Sequence, residues 1–162
     1  MDASPGYSRT QIILHWLVAI LILVTYVSGD DMGQVLRERV QSGATGIEDN
    51  TNHVWLGGAV FVLVLIRLIV RLRHGAPSHA PGNPAWLDLA ATLGHRLLYA
   101  LMLIVPALGA AAWYGGVEAA GDLHETLANV FMIIILGHGL AAIGHEIFRS
   151  DGTLQRMFVP RQ

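Results

Sequence analysis

Four long apolar stretches constrain this chain more than any other feature of its sequence. They are separated by more polar segments and cover residues 12–27, 54–70, 97–113 and 127–143. With its flanking residues, each stretch can cross about 30 Å of hydrocarbon as a helix. Apolar residues make up 53% of the 162 and charged residues only 14%, which is more apolar surface than a soluble domain of this size can bury.

These stretches predict the fold class all-α, as an integral membrane four-helix bundle. We expect a single domain, residues 1–162, with spans at approximately 11–28, 53–71, 95–113 and 124–147. Strands are a poor alternative, because a lone open sheet cannot satisfy its backbone in lipid and the stretches lack the alternation of a barrel. The absence of cysteine excludes disulfides, thiolate metal sites and covalently attached c-type haem.

The charged residues predict how the bundle is oriented in the membrane. With four spans, both termini and the middle loop share one face, and eight of the ten basic residues belong to that face: Arg9, Arg67, Arg71, Arg73, Arg96, Arg149, Arg156 and Arg161. The positive-inside rule then predicts cytoplasmic termini, in a bacterial inner membrane. Segments 28–52 and 114–123 are expected outside, and only Arg37 and Arg39 of the basic residues lie there. Eight acidic residues lie on that side or at its border: Asp30, Asp31, Glu38, Glu48, Asp49, Glu118, Asp122 and Glu125.

Six of the eight histidines fall inside the predicted spans or at their ends: His15, His53, His95, His124, His138 and His145. A polar group within a membrane is costly, so it usually faces the bundle interior and serves a function. The three on the fourth span lie within about 60° of one helical stripe, and the first two are about 21 Å apart along the axis. One imidazole therefore lies near each face of the membrane.

Matching the histidines by depth pairs His53 with His124 near the outside and His15 with His138 near the cytoplasm. Each pair comes from two facing helices, as in the cofactor sites of helical bundles. Two imidazoles across a porphyrin give six-coordinate iron without an open position, which suits electron transfer. The sequence therefore predicts a bundle with two b-type haems in its core and these four residues as axial ligands of the iron.

Other interpretations of these residues stay open. A histidine in a membrane can simply be hydrogen-bonded to a neighbouring helix. His95 competes with His138 as the partner of His15, or serves quinone or proton transfer, and His145 is expected to contact a haem propionate or a lipid head group. Arg67 and Arg71 are either topology anchors or partners of propionates on the inner haem. A zinc or di-iron centre fits less well, because the histidines form two distant layers and paired intramembrane carboxylates are missing.

Glycines near the histidines agree with the prediction of haem. Gly57 and Gly58 follow His53 by about a turn, and Gly137 directly precedes His138. A flat macrocycle between helices needs backbone without side chains, although glycine is common in transmembrane helices in any case.

Over nearly its whole length the chain resembles the small bacterial cytochrome b561 family. The motifs that carry the resemblance are SRTQIILHW (8–16), NHVWLGG (52–58), RLIVRLRHGAP (67–77), LGHRLLYALMLIVPALG (93–109), LHETLANV (123–130) and HGLAAIGHEIFRSDGTLQRM (138–157). The resemblance implies a four-helix protein of the cytoplasmic membrane with two haem b groups, which exchanges electrons with the quinone pool. It implies the same four ligands, His15, His53, His124 and His138.

The best-known small members of that family resemble superoxide oxidases, which pass electrons from periplasmic superoxide to ubiquinone. This chain departs from them in its short outer loop 114–123, which contains no basic residue. An outer face with a net charge of about minus six slows the arrival of an anion unless Arg37 and Arg39 form a local funnel. The alternative is a membrane-anchor subunit that exchanges electrons with a soluble cytochrome, hydrogenase or dehydrogenase. The expected partners are membrane lipid, quinone and a periplasmic redox protein, and no nucleic acid.

Overall fold

The structure, a computed structural model, describes residues 6–77 and 83–160, so Arg161 lies outside the described residues. It contains helices α1 (Arg9–Val27), α2 (Met32–Ser42), α3 (Asn52–His74), α4 (Ala85–Gly115) and α5 (Glu118–Arg149), followed by a 3₁₀ turn at Gln155–Met157. Four of the helices, α1, α3, α4 and α5, are long and apolar enough to cross a membrane. The prediction of an all-α membrane bundle is confirmed.

Local signals in the sequence explain where several helices begin and end. Ser8 opens α1 with a reciprocal cap, because its hydroxyl accepts from the Gln11 amide and the Gln11 side chain accepts from the Ser8 amide. Thr51 caps α3 in a similar way, by accepting from the amide of Val54. Gly116 follows α4 with φ at 65°, a conformation that favours glycine.

The turn at Gly116 makes the connection between α4 and α5 shorter than the predicted loop 114–123. Helix α4 continues to Gly115 and α5 begins at Glu118, so most of that segment is helical. Both helices extend well beyond the predicted spans, because polar residues at a membrane surface can continue a helix that apolar residues begin. The segment 28–52 also contains a helix, α2, that hydropathy alone does not indicate.

The four long helices form an antiparallel bundle in which α1 packs on α3, α3 on α4 and α4 on α5. The start of α1 meets the end of α3, where the Gln11 side chain donates to the Gly75 carbonyl over 2.9 Å. The two ends of the bundle are called here the termini end, which holds the start of α1 and the end of α5, and the α2 end. On the side between α1 and α5 the helices meet through side chains, including a 2.7 Å bond from the Tyr26 hydroxyl to Asn129.

The core of the bundle is apolar and lies where α1, α3, α4 and α5 meet. Val18 and Val64 are fully buried at its centre. Large apolar side chains also cover the outside, with Leu72 76% and Ile133 71% exposed. Exposed apolar surface on every long helix is what a bundle surrounded by lipid requires, and these helices are therefore in contact with lipid.

Helix α2 covers the α2 end of the bundle. Its Leu36 packs with Ala112 and Trp113 of α4 in a second, smaller apolar cluster. Arg39 of α2 is only 6% exposed, lies 4.4 Å over the Trp113 ring and donates to the Trp113 carbonyl. The same guanidinium binds the Gly46 carbonyl and the Asp49 carboxylate. Arg39 therefore fixes α2 and the loop that follows it onto the bundle.

Candidate cofactor-binding sites

At the α2 end, the structure brings together the two histidines that sequence depth pairs there. His53 lies in the first turn of α3 and His124 in the second turn of α5. Their ring centres are 6.0 Å apart and the ring planes are perpendicular, at 90°. We call His53 and His124 the α2-end pair.

Both imidazoles of the α2-end pair donate to a backbone carbonyl of another helix. His53 Nδ1 lies 2.9 Å from the Thr25 carbonyl oxygen at the end of α1. His124 Nδ1 lies 2.7 Å from the Val105 carbonyl oxygen in the middle of α4. A carbonyl can only accept, so each Nδ1 carries the proton and each Nε2 keeps a free lone pair. That tautomer is the one in which a histidine can bind a metal through Nε2.

At the termini end, three histidines from three helices lie together. The ring centres of His15 on α1 and His138 on α5 are 6.4 Å apart, and we call these two residues the termini-end pair. His95 of α4 packs edge-on against His138 with 5.3 Å between ring centres. Its Nδ1 donates to the Ala91 carbonyl of its own helix over 2.7 Å. The structure thus places His95 beside His138. Depth alone had left open whether His95 or His138 is the partner of His15.

Arg67 gives the termini end a different electrostatic character. Its guanidinium donates to His15 Nδ1 over 2.8 Å and lies 5.5 Å from the centre of the Tyr99 ring. Arg71, one turn later, lies at the same distance from that ring. Within residues 6–77 and 83–160 no carboxylate forms a salt bridge with either guanidinium. Two such cations suit the binding of an anionic group.

The spacing of both pairs fits an iron porphyrin between the rings. Metal–nitrogen bonds of about 2.0 Å, with about 1.1 Å more from each nitrogen to its ring centre, place two axial imidazole centres about 6.2 Å apart. The observed 6.0 Å and 6.4 Å lie on either side of that value. A Cβ added to Gly57, Gly58 or Gly137 would have no neighbour within 4 Å, so these glycines leave the helix surface near the histidines open. Ligation of His15 through Nε2 requires the proton on Nδ1, so Arg67 would have to release that nitrogen.

His145 lies at the termini end of α5 and interacts with the segment that follows the helix. Its Nδ1 is 2.6 Å from the Asp151 carboxylate, which also accepts from the Thr153 amide. Burial alone would raise the pKa of Asp151, but these hydrogen bonds outweigh it and lower the pKa to about 2. The contact with Asp151 was not predicted from the sequence. A carboxylate just after the end of a helix that carries histidine and arginine in its last turns is the signal that could have indicated it.

Sequence reasoning also missed the two carbonyl groups that bind the α2-end pair. Backbone carbonyls have no sequence signature, so the positions of Thr25 and Val105 follow only from the packing of the helices. The burial of Arg39 is similarly a tertiary result. It leaves Arg37 as the exposed arginine at the α2 end, so Arg39 does not contribute to a surface funnel of the kind that the sequence sets as a condition for attracting superoxide.

Comparison with known proteins identifies the family of this chain. The model of the prokaryotic cytochrome b561 family matches residues 6–160. The chain is 39% identical to cytochrome b562 of Cereibacter sphaeroides, over 99% of this chain and 100% of that protein. It is 32% identical to cytochrome b561 homolog 1 of Escherichia coli, over 96% and 98% of the two chains. It is also 30% identical to the probable superoxide oxidase CybB of Yersinia pestis, over 93% and 94%. The chain therefore belongs to the prokaryotic cytochrome b561 family, whose members are multi-pass membrane proteins of electron transfer that bind haem b.

Proposed function

We propose that this protein transfers electrons across the bacterial inner membrane through two haem b groups, from a periplasmic donor to the ubiquinone pool. The observation that carries the proposal is the pair of facing imidazoles at each end of the bundle, with ring centres 6.0 Å and 6.4 Å apart. His124 and His138 belong to the same helix and are about 21 Å apart along its axis at 1.5 Å per residue. Two levels at that separation cover most of the hydrocarbon thickness.

The residues of the chain have distinct roles in this proposal. The α2-end pair would hold one haem and the termini-end pair the other, each through Nε2. A haem with two imidazole ligands supplies one-electron transfer without an open position for substrate. Arg67 and Arg71 would bind the propionates of the haem at the termini end. His95 would support His138 from the side, and His145 remains engaged with Asp151.

We assign the α2 end to the periplasm from the distribution of charge. Seven described arginines lie on the termini end or the spans that lead to it: Arg9, Arg67, Arg71, Arg73, Arg96, Arg149 and Arg156. The positive-inside rule places such an end in the cytoplasm. Electrons taken up at the α2 end would then be delivered to quinone at the cytoplasmic side.

Superoxide is the donor suggested by the similarity to the probable superoxide oxidase of Yersinia pestis. The test uses purified, haem-loaded protein in liposomes that contain a ubiquinone analogue. Superoxide generated outside should reduce the haem, and the haem should be reoxidised only when quinone is present. His53→Ala serves as a matched control, because it should remove the entry site and leave the rest of the bundle. Wild-type protein whose haems are not reduced by superoxide would refute this choice of donor.

A second candidate donor is a cationic redox protein, and the charge of the α2 end favours it. Eight acidic side chains are exposed there, whereas Arg37 is exposed and Arg39 is buried. Such a surface repels superoxide and attracts a basic protein. Gentle solubilisation followed by native mass analysis distinguishes the two, because a stable complex with a basic cytochrome supports the second candidate and an isolated chain supports the first.

A further inference from the structure

The two imidazoles of the α2-end pair each lie directly against a glycine of another segment, Gly29 in the turn after α1 and Gly109 in α4. A Cβ added to Gly29 would lie 3.0 Å from Cε1 and 3.1 Å from Nδ1 of His53. A Cβ added to Gly109 would lie 3.0 Å and 3.1 Å from the same two atoms of His124. Real Cβ atoms rarely approach other atoms this closely, so any larger residue would push the ring away.

Each glycine occupies the same position relative to the carbonyl that its histidine binds. Gly29 follows Thr25 by four residues, and Gly109 follows Val105 by four residues. In α4 the carbonyl of Val105 points along the axis toward residue 109, so a ring bound to that carbonyl lies over residue 109. Helix α1 ends at Val27, so Gly29 lies in the turn beyond it, and its closeness to His53 is given by the distances alone. A side chain at that position would occupy the space that the imidazole fills.

We propose that Gly29 and Gly109 are positioning residues for the α2-end pair. Together with the carbonyls of Thr25 and Val105, each glycine forms a seat that fixes the plane of one imidazole. The two seats produce the perpendicular arrangement of the rings, and with both Nδ1 atoms on carbonyls each Nε2 lone pair remains available to iron. The proposal rests on the proposed function, because it assigns these seats to axial ligands of a haem.

Backbone conformation does not explain either glycine. The described glycines with positive φ are Gly43, Gly75, Gly116 and Gly152, and neither seat is among them. Gly109 lies in the interior of α4, where alanine is the better helix former. Alanine at position 109 should therefore stabilise the helix if the glycine has no other role.

The ring cannot easily move to make room for a methyl group. The Nδ1 of each imidazole is held by a hydrogen bond of 2.7 Å or 2.9 Å, and Nε2 would be held by the iron. A displacement of a few tenths of an ångström must therefore rotate the ring or lengthen one of these bonds. Among the glycines in the described part of the chain, no Cβ position lies against His15 or His138, and Gly137, next to His138, has open space there.

The experiment compares wild-type protein with Gly29→Ala, Gly109→Ala and Gly144→Ala, each purified with its haem. Gly144 is the matched control, because its Cβ would meet only Phe148, at the ordinary distance of 4.0 Å. The readouts are the haem content per chain and the low-spin ferric EPR spectrum, whose principal g value depends on the angle between axial imidazole planes. A His53→Ala variant identifies which signal belongs to the α2 end.

We expect each seat variant to shift or lose the α2-end signal, with haem content falling from two to one where it is lost. The termini-end signal should be unchanged in the same sample, which shows that the bundle is folded, and Gly144→Ala should match the wild type. Two unchanged signals in both seat variants would overturn the proposal, as would equal loss of both, because the glycines would then serve the bundle as a whole. Wild-type protein without two haems would instead refute the proposed function.

Discussion

Replacement of Arg39 by methionine tests the account of how the α2 end is covered. Arg39 is buried, and its guanidinium donates to two carbonyls, of Trp113 over 3.2 Å and of Gly46 over 2.7 Å. It also pairs with Asp49 over 3.2 Å and stacks on the Trp113 ring. Methionine keeps most of the apolar stem and removes the charge and all the donors.

The expected cost follows from these contacts. A hydrogen bond from a charged donor to a buried acceptor contributes about 1.5–3 kcal/mol, and the stack on tryptophan about 1 kcal/mol. The pair with Asp49 adds little, because that carboxylate side chain is 52% exposed and therefore screened by water. Contacts made by one side chain do not add fully, so we expect the free energy that holds α2 closed to fall by about 3 kcal/mol.

Hydrogen exchange of the α2 amides, in detergent or nanodiscs, measures this local opening directly. A loss of about 3 kcal/mol corresponds to exchange about 100-fold faster, since each 1.4 kcal/mol is about tenfold. Arg37→Met is the matched control, because Arg37 lies on the exposed face of the same helix and its loss should leave exchange within about threefold of wild type. Equal exchange rates in both variants would refute the structural role given to Arg39.

The remaining predictions concern the two sites and the segment after α5. Alanine in place of either member of the α2-end pair should remove one haem, and alanine in place of either member of the termini-end pair should remove the other, as measured by haem content and EPR. If a variant of the α2-end pair and a variant of the termini-end pair lost the same haem, the pairing would be wrong. Arg67→Met should lower the potential of the termini-end haem by about 50 mV in a spectroelectrochemical titration, because the nearby cation disfavours ferric iron; a larger effect from the exposed Arg73→Met would contradict this. Because the pKa of Asp151 is lowered from 3.8 to about 2, its stabilisation is complete above pH 3.8 and is lost as pH falls toward 2. The amide signal of Thr153 should shift over that range in the wild type and not in Asp151→Asn.

The apolar stretches alone are sufficient to predict the bundle and the depth of its histidines. A chain that crosses lipid must satisfy its own backbone hydrogen bonds, and these apolar stretches do so as helices. Because a helix rises by a constant distance per residue, the spacing of His124 and His138 in the sequence places them at two depths. Depth does not define lateral position. For that reason the sequence could not say that His95 packs on His138, or that Arg67 reaches His15.

Features that depend on backbone atoms or on the packing of non-adjacent segments were beyond prediction. The seats of the α2-end pair use carbonyls of Thr25 and Val105, which any residue could supply. Helix α2 contains few apolar residues, and its attachment depends on the burial of Arg39, a residue type that is usually exposed. A count of charges along the sequence assigns Arg39 to the outer surface, whereas in the structure its side chain is buried.

Imidazoles from different helices are expected to bind one haem at each end of the bundle. The most direct measurement is a haem count per chain on purified, folded protein, together with oxidised and dithionite-reduced visible spectra. We expect two haems per chain and the sharp reduced bands of six-coordinate b-type cytochromes. Folded protein from haem-replete cells that carries no haem, or only one, would contradict it.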